Sequence, residues 1–366
     1  MNFALSDEQI FLQEAARDAL SRFDTIAAAR GALEGEALPD LWPTAQTAGW
    51  TGLLIGEEHG GAGLGPIEAM LVLAECGRVL AGIPLLGHLP ATYVLDRAGA
   101  DSELLGRLGS GEARAAFLAA QPPGDLDPDW TVEAPAGHRR APAPRVGADG
   151  ALSGTVAWVP DAPGADVIVV AAVDAAGEPQ AVLVTEGFAV QPHTVYDATR
   201  SLGHVTLDGA RGTVLGGEHL APAWHLAQAL IAAESLGAVE ECLRRSVEYA
   251  KERFTFGRAI GSYQAVKHGL TEVLRLQENA RSLIYYAGWA GHDAPDEFPV
   301  AASSARVAAG HALDFAAREH ISVHGGIGAT WEHDAPLFFR RAQLSRRLLG
   351  GTAGARDRVA GELLAA

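Results

Sequence analysis

The sequence predicts an α+β protein in three consecutive parts: a helical domain over residues 1–113, a β domain over 114–220, and a C-terminal helical domain of the four-helix-bundle type over 221–366. Three observations predict that order. Apolar residues recur every three to four positions in the first and last thirds, whereas the middle third breaks into short β-rich runs between Gly, Pro and Asp. With 366 residues, 48% of them hydrophobic, the chain can also fill more than one core.

Taken in order, Ser6 is a good N-cap ahead of Leu12, Ala16 and Leu20 at helical spacing, so an amphipathic helix is expected over 6–30. Further helices are expected around 39–49, 66–80, 87–99 and 102–109, with the glycines of "EEHGGAGLG", 57–65, forming a tight loop between two of them. The runs "ALSGTVAWVP", "DVIVVAAV" and "QAVLVTE" read as strands, and the Pro-rich "EAPAGHRRAPAPRVGADG", 133–150, as an exposed excursion with a solvated basic triplet. After Pro222, long helices are expected at 224–252, 262–291 and 297–322, then shorter ones at 334–348 and 352–364. Leu226, Leu230, Ala233, Leu236 and Leu243 fall on one face of the first, as a bundle requires.

The charge balance narrows the function. Against 45 acidic residues stand 28 basic ones, a formal net charge of −17, which argues against general nucleic-acid binding and requires any phosphate to be held locally. Cys76 and Cys242 each sit inside a helical pattern, outside any CxxC or His-rich spacing, and point to a reducing compartment with no metal site. The N-terminus lacks a basic-then-apolar leader and no apolar run approaches a membrane span, so the expectation is a soluble cytoplasmic protein with no membrane partner.

The stretch "KERFTFGRAIGSYQAVKH", 251–268, sits between two long helical patterns. A helix ends near Arg253, Gly257 permits a turn, and the next helix begins at Ser262 with N-terminal amides and a positive dipole end that attract phosphate. Arg253 offers charge-assisted donors and Phe256 a flat apolar surface. A helix turn with solvated charges explains the same residues. Further on, "AREHISVHGGIGATWEHD", 317–334, closes a helix with a Gly-Gly pair that lets a ligand approach the backbone.

The helix-β-helix order, "GWTGLLIGEEHGGAGLG" at 49–65, "RFTFGRAIGSYQAVKH" at 253–268 and "HGGIGATWEHD" at 324–334 together resemble the acyl-CoA dehydrogenase family over essentially the whole chain. The resemblance implies a flavoprotein fold that uses FAD to oxidise the Cα–Cβ bond of an acyl-CoA thioester and passes the electrons to an electron-transfer flavoprotein. It also implies cofactor-binding roles for Arg253, Phe256, Gln264, Gly325 and Gly326, which would reach across a subunit interface to the FAD of a neighbour.

Other positions depart from the family. Its chemistry needs a carboxylate to take the α-proton while the flavin accepts hydride from the β-carbon. The usual Glu position falls in "LGGT", 349–352, at Gly350, and the alternative position on the first bundle helix is Ala227, followed by Gln228 where many members have Arg. The family's flavin-contacting segment aligns with "AAQPPGDLD", 119–127, which keeps Gln121-Pro122 as an echo and lacks the Gly-Ser, and the usual Gln before the Gly-Gly turn is Ser322. Glu234, seven residues after Ala227 on the same helical face and inside an apolar run, is the candidate catalytic base; it reads equally as a bundle carboxylate bonded to a neighbouring helix. His268, His320, His324 and His333 read as structural or rim residues, and Trp158 as a flavin border or a core residue.

The expectation is therefore the non-catalytic subunit of an α2β2 acyl-CoA dehydrogenase, resembling bacterial enzymes that act on bulky steroid side-chain CoA thioesters. Two alternatives follow from the same residues: a homo-oligomeric dehydrogenase with a non-standard base such as Glu234, and a non-redox binding protein that reuses the fold.

Overall fold

The computed structural model describes residues 4–119, 131–132, 140–141 and 143–365. Its order is helical, then β, then helical. The first part holds α1 (Asp7–Ser21), α2 (Thr25–Leu33), α3 (Trp42–Thr47), α4 (Pro66–Arg78), α5 (Leu85–Arg97) and α6 (Ser102–Gly109). Ser6 caps α1 as its sequence position predicts, accepting from the Gln9 amide while the Gln9 side chain accepts from the Ser6 amide. The single helix expected over 6–30 is two helices. Asp24 supplies a second N-cap, accepting from the Ala27 amide at 3.2 Å, and the chain turns at Arg22–Asp24. The glycine loop at 60–65 joins the short turn at Glu57–His59 to α4 and is tied down by Gly63 and Leu64 amides donating to Ile55 and Leu53 carbonyls at 2.8 Å.

The β part contains β1 (Ala115–Leu118), β2 (Thr131–Val132), β3 (Arg140–Ala141), β4 (Arg145–Val146), β5 (Leu152–Ser153), β6 (Thr155–Pro160), β7 (Val167–Val173), β8 (Pro179–Val184), β9 (Ala189–His193), β10 (Leu202–Thr206) and β11 (Thr213–Gly216). One sheet runs β11-β8-β7-β4-β5, with β1 also paired to β7; a second runs β6-β10-β9. Strand β7 shows how alternation builds two interfaces at once. Ile168, Val170 and Ala172 pack into the core shared with Val156, Val159 and Val205, while Val167, Val169 and Ala171 join the large helical core on the other face. Within the Pro-rich stretch, 133–139 and 142 lie outside the described residues, but Ala143 and Val146 are buried and β4 pairs with β5 and β7, so its end is part of the sheet.

The last part is built on α7 (Leu220–Glu252), α8 (Gln264–Asp293) and α9 (Phe298–His324), followed by α10 (Ala335–Ser345) and α11 (Gly351–Ala365). Helix α7 is the spine: packed by α4, α8 and α9, its residues from Ala223 to Val239 are all buried. It meets α4 at a glycine crossing, where a Cβ on Gly77 would lie 1.8 Å from the Glu234 carbonyl oxygen and one on Gly237 would lie 1.8 Å from that of Ala74. Only hydrogen fits at either position. Between α7 and α8 the chain forms a hairpin of β12 (Phe254–Thr255) and β13 (Arg258–Ala259), and α8 begins at Gln264 rather than Ser262 because Ile260–Ser262 is a 3-10 turn. No helix among the described residues is long and apolar enough to cross a membrane.

Candidate functional site

Three constellations surround α7. The first is a cavity of about 400 Å3 between the β domain and the C-terminal helices. Its apolar wall includes Phe117, Val156, Trp158, Leu202 and Leu348, and Gly350 forms part of it. Trp158 stands at φ 58°, opposite the register shift between Gly203 and Val205 in β10, and its half-buried ring packs edge-on to His204 with 4.8 Å between centroids. Leu349, Gly350 and Gly351 follow one another in the left-handed region at φ 50°, 79° and 72°. Fully buried Arg306, on α9, holds that turn. Its guanidinium donates to the Ser345 carbonyl, to Leu348 O at 3.2 Å and to Gln228 Oε1 at 3.1 Å, while Gln228 Nε2 donates to Leu349 O at 2.9 Å. Burial, with Arg200 nearby, pulls the Arg306 guanidinium down to about 9. Gln228 thus anchors the backbone next to Gly350 instead of facing a ligand as a cation.

The second constellation is a closed set of buried charges. Glu234 is 2% exposed; its Oε1 accepts from Arg341 Nη1 at 2.7 Å and its Oε2 from Arg200 Nη2. Arg341 also donates from Nε to Asp197 Oδ2 at 2.6 Å and from Nη2 to Thr199 Oγ1 at 2.5 Å. Burial alone would lower the Arg341 pKa, but Asp197 and Glu234 reverse that and raise it. For Asp197, burial raises and Arg341 and Arg200 lower, with the balance below the ordinary carboxylate range. Two carboxylates meet two guanidiniums, linking α7 and α10 to the 194–200 loop that walls the cavity. Ala227, about two turns earlier on α7, is fully buried and apolar.

The third lies at the C-terminal end of α7. Arg253 is its C-cap, in extended conformation, exposed, and without an ion pair among the described residues. The two-residue turn of the hairpin is Phe256 at φ 50° and Gly257 at φ 79°, the type I′ geometry, and Phe256 is 97% exposed. Arg258, by contrast, is used locally, its guanidinium 4.1 Å above the Tyr263 ring. Gln264 is exposed at the start of α8, and Gly325 and Gly326 are exposed at the end of α9. A groove lined by Phe256, Tyr263, Val266, Ser322 and Val323 lies between the two motifs, so five sequence-predicted residues, Arg253, Phe256, Gln264, Gly325 and Gly326, belong to one end of the bundle. A Cβ added to Gly325 or Gly326 would meet nothing within 4 Å. Ile327 and Trp331, 50% and 68% exposed, extend the apolar patch.

Beneath that patch, the rings of His320, His324 and His333 meet edge-on or tilted with 4.4 to 6.0 Å between centroids, and Tyr249 stacks on His324 at 4.2 Å. His320 Nδ1 and Ser246 Oγ share a hydrogen bond of 2.8 Å, and burial pushes the His320 pKa down to about 2. His268 is exposed and stands apart. Among the described residues no group of His, Cys, Asp and Glu could hold a metal ion. The Gln121-Pro122 echo lies outside the described residues. Sequence reasoning missed Arg200, Arg306 and Arg341. The signal for Arg306 was available, since a lone cation in "AASSARVAAGHAL" is as anomalous as Glu234 in its apolar run.

Comparisons with known proteins agree with this architecture. Residues 6–119 match the acyl-CoA dehydrogenase N-terminal domain and residues 223–364 the acyl-CoA dehydrogenase C-terminal domain. The chain is 34% identical over 350 residues to the acyl-CoA dehydrogenase IpdE2 of Mycobacterium tuberculosis, covering 94% of this chain and 93% of that protein. Among solved structures it is similar to a variant of the Tcur3481-Tcur3483 steroid ACAD, with a TM-score of 0.85, 28% identity and 98% of each chain covered. It is also similar to the ChsE4-ChsE5 complex from Mycobacterium tuberculosis, with a TM-score of 0.83, 26% identity and 100% of each chain covered.

Proposed function

The chain belongs to the acyl-CoA dehydrogenase family, and from that premise we propose that it is the supporting subunit of a two-component, FAD-dependent enzyme acting on a bulky, steroid-derived acyl-CoA. The observation that carries this reading is the pairing of a cavity with Gly350 in its wall and no carboxylate among its described lining residues with an intact, unpaired set at the end of α7. Two similar solved structures carry two-component names, and one of them is called a steroid ACAD, which supports both the partner and the substrate class.

The residues at the bundle end fit a flavin nucleotide. Arg253 would hold a phosphate, Phe256 would cover a flat ring, and the open backbone of Gly325 and Gly326 would admit the nucleotide without a Cβ in the way. FAD, when bound, supplies the acceptor for the hydride leaving the β-carbon, with an electron-transfer flavoprotein taking the electrons onward. The α-proton is left to a carboxylate of the partner subunit. Glu234 does not serve as the base, because each of its oxygens already accepts from a buried guanidinium and a free lone pair cannot reach substrate without opening the Arg341–Asp197 set. We assign it a structural role.

The test is a visible absorption spectrum with a mass measurement, first on the chain expressed alone and then on the chain co-expressed with a second family member. Flavin absorbance is expected only in the mixed assembly, in amounts that Arg253→Ala reduces. A lone chain that purifies yellow and bleaches on addition of an acyl-CoA overturns the reading, and if Glu234→Gln then abolishes the bleaching, Glu234 is the base after all.

A further inference from the structure

If the flavin is completed in the partner, the cavity behind Trp158 in this chain is left for something else, and its lining has a definite chemistry. It is apolar over most of its wall, with Thr194 and Tyr196 as polar side chains and Arg347 as the one charge among the described lining residues. A volume of about 400 Å3 lies within the range of small-molecule sites, which are mostly apolar with a few placed polar groups. Arg347 is exposed, gives Nη1 to the Gln343 carbonyl at 2.7 Å, and makes no ion pair among the described residues.

A second guanidinium stands on the same side. Arg340 donates to the Tyr196 carbonyl at 3.0 Å and lies 4.4 Å over the Tyr196 ring, fixing that wall residue from outside. In a chain of net charge −17, this rim carries two cations and no lining carboxylate among the described residues. Arg347 is hydrated at the cavity mouth, so a neutral apolar ligand gains nothing from it, whereas an acid group gains a charge-assisted bond.

We propose that this cavity binds an apolar carboxylic acid, with the hydrocarbon body against Trp158, Phe117 and Leu348 and the carboxylate at Arg347, which acts as the specificity-determining residue. The proposal rests on the supporting-subunit reading, because a flavin in the same cavity would exclude the acid.

The experiment is calorimetric titration of the mixed assembly with decanoate and, separately, with the equally long 1-decanol. Saturable decanoate binding is expected, weakened about tenfold by Arg347→Gln, with decanol binding unchanged by that variant. Ala157→Phe, which fills the cavity from its wall, should remove both ligands. Equal effects of Arg347→Gln on acid and alcohol, no saturable decanoate binding, or retention of both ligands by Ala157→Phe would each overturn the proposal. Displacement of decanoate by added FAD would also overturn it, by giving the cavity to the nucleotide. The supporting-subunit reading is decided separately, by where flavin absorbance appears, so its failure is distinguishable from a failure of acid binding alone.

Discussion

Glu234 and Arg253 belong to the same helix, one at the middle of α7 and the other at its C-cap, and both are charges set against apolar neighbours. Their surroundings differ in one respect. Every oxygen of Glu234 is taken by Arg200 or Arg341, both supplied by this chain, and Arg341 is further shared with Asp197 and Thr199. Arg253 has no ion pair within the described residues, and the residues at the same end of the bundle, Phe256 and Trp331, hold large apolar surfaces in water. A charge satisfied inside the chain is there for the fold. A charge and an aromatic ring left open together are what the proposed flavin site would draw on.

The sharpest way to break that contrast is to remove one charge from each region. Glu234→Ala leaves two buried guanidiniums facing each other, and loss of one partner from such a set costs about 3–5 kcal/mol. Urea unfolding should show that loss as a lower midpoint with little change in slope. Arg253→Ala should leave the stability within about 0.5 kcal/mol of the parent, as exposed positions do, while reducing flavin in the mixed assembly. If Arg253→Ala destabilises the lone chain as much as Glu234→Ala does, the distinction between a closed and an open constellation is wrong.

A change of pH separates interior from surface next. His88, His225 and His320 are buried, and burial lowers their pKa values to about 4, 3 and 2. His88 is held neutral by giving Nε2–H to Thr51 O at 3.0 Å and accepting the Ala115 amide at Nδ1, 3.1 Å. A depressed folded pKa means that the stabilisation is complete above the unfolded value near 6.5 and is lost as pH falls toward the folded value. Between pH 7 and 5 each histidine should cost at most roughly 2 kcal/mol. Asp161 runs the other way. Burial raises it to about 6, so its contribution is complete below pH 3.8 and is lost as pH rises through 6. Unfolding free energy should therefore peak near neutrality and fall steeply on the acid side, and a flat profile from pH 7 to 5 would show that these histidines are solvated.

Much of this was readable from the sequence, for reasons particular to each element. Periodicity placed α7, α8 and α9 because each buries a wide face, and Ser6 announced the start of α1 because its capping bonds are local. The break at Asp24 was missed since an aspartate can cap or simply be solvated, and only the Ala27 amide distinguishes them. The turn between Arg253 and Gln264 was legible because its residues are neighbours in sequence and Gly257 permits the positive φ. The Glu234 set was not, because its partners Asp197, Arg200 and Arg341 come from the β9–β10 connection and from α10, and no local pattern links them. Glu234 reads from sequence as a candidate base or as a bundle carboxylate alike, because an apolar run around a carboxylate shows desolvation but not who compensates it.

The smallest expected effect concerns the hairpin between β12 and β13. A type I′ turn needs positive φ at both central residues, and here glycine supplies only the second while Phe256 holds φ 50° with its ring almost wholly in water. Neither the strain nor the exposure benefits the lone chain. Phe256→Gly should therefore keep or slightly raise its stability, and Gly257→Ala, which adds a Cβ at φ 79°, should lower it by about 1 kcal/mol. In the mixed assembly the order should reverse. Phe256→Gly loses the apolar surface and should reduce flavin retention, whereas Gly257→Ala keeps the ring and should retain most of it. That crossing of effects, measured by unfolding on one side and flavin content on the other, is what a residue kept for a neighbour's site must show; parallel effects would return Phe256 to the status of an ordinary turn residue.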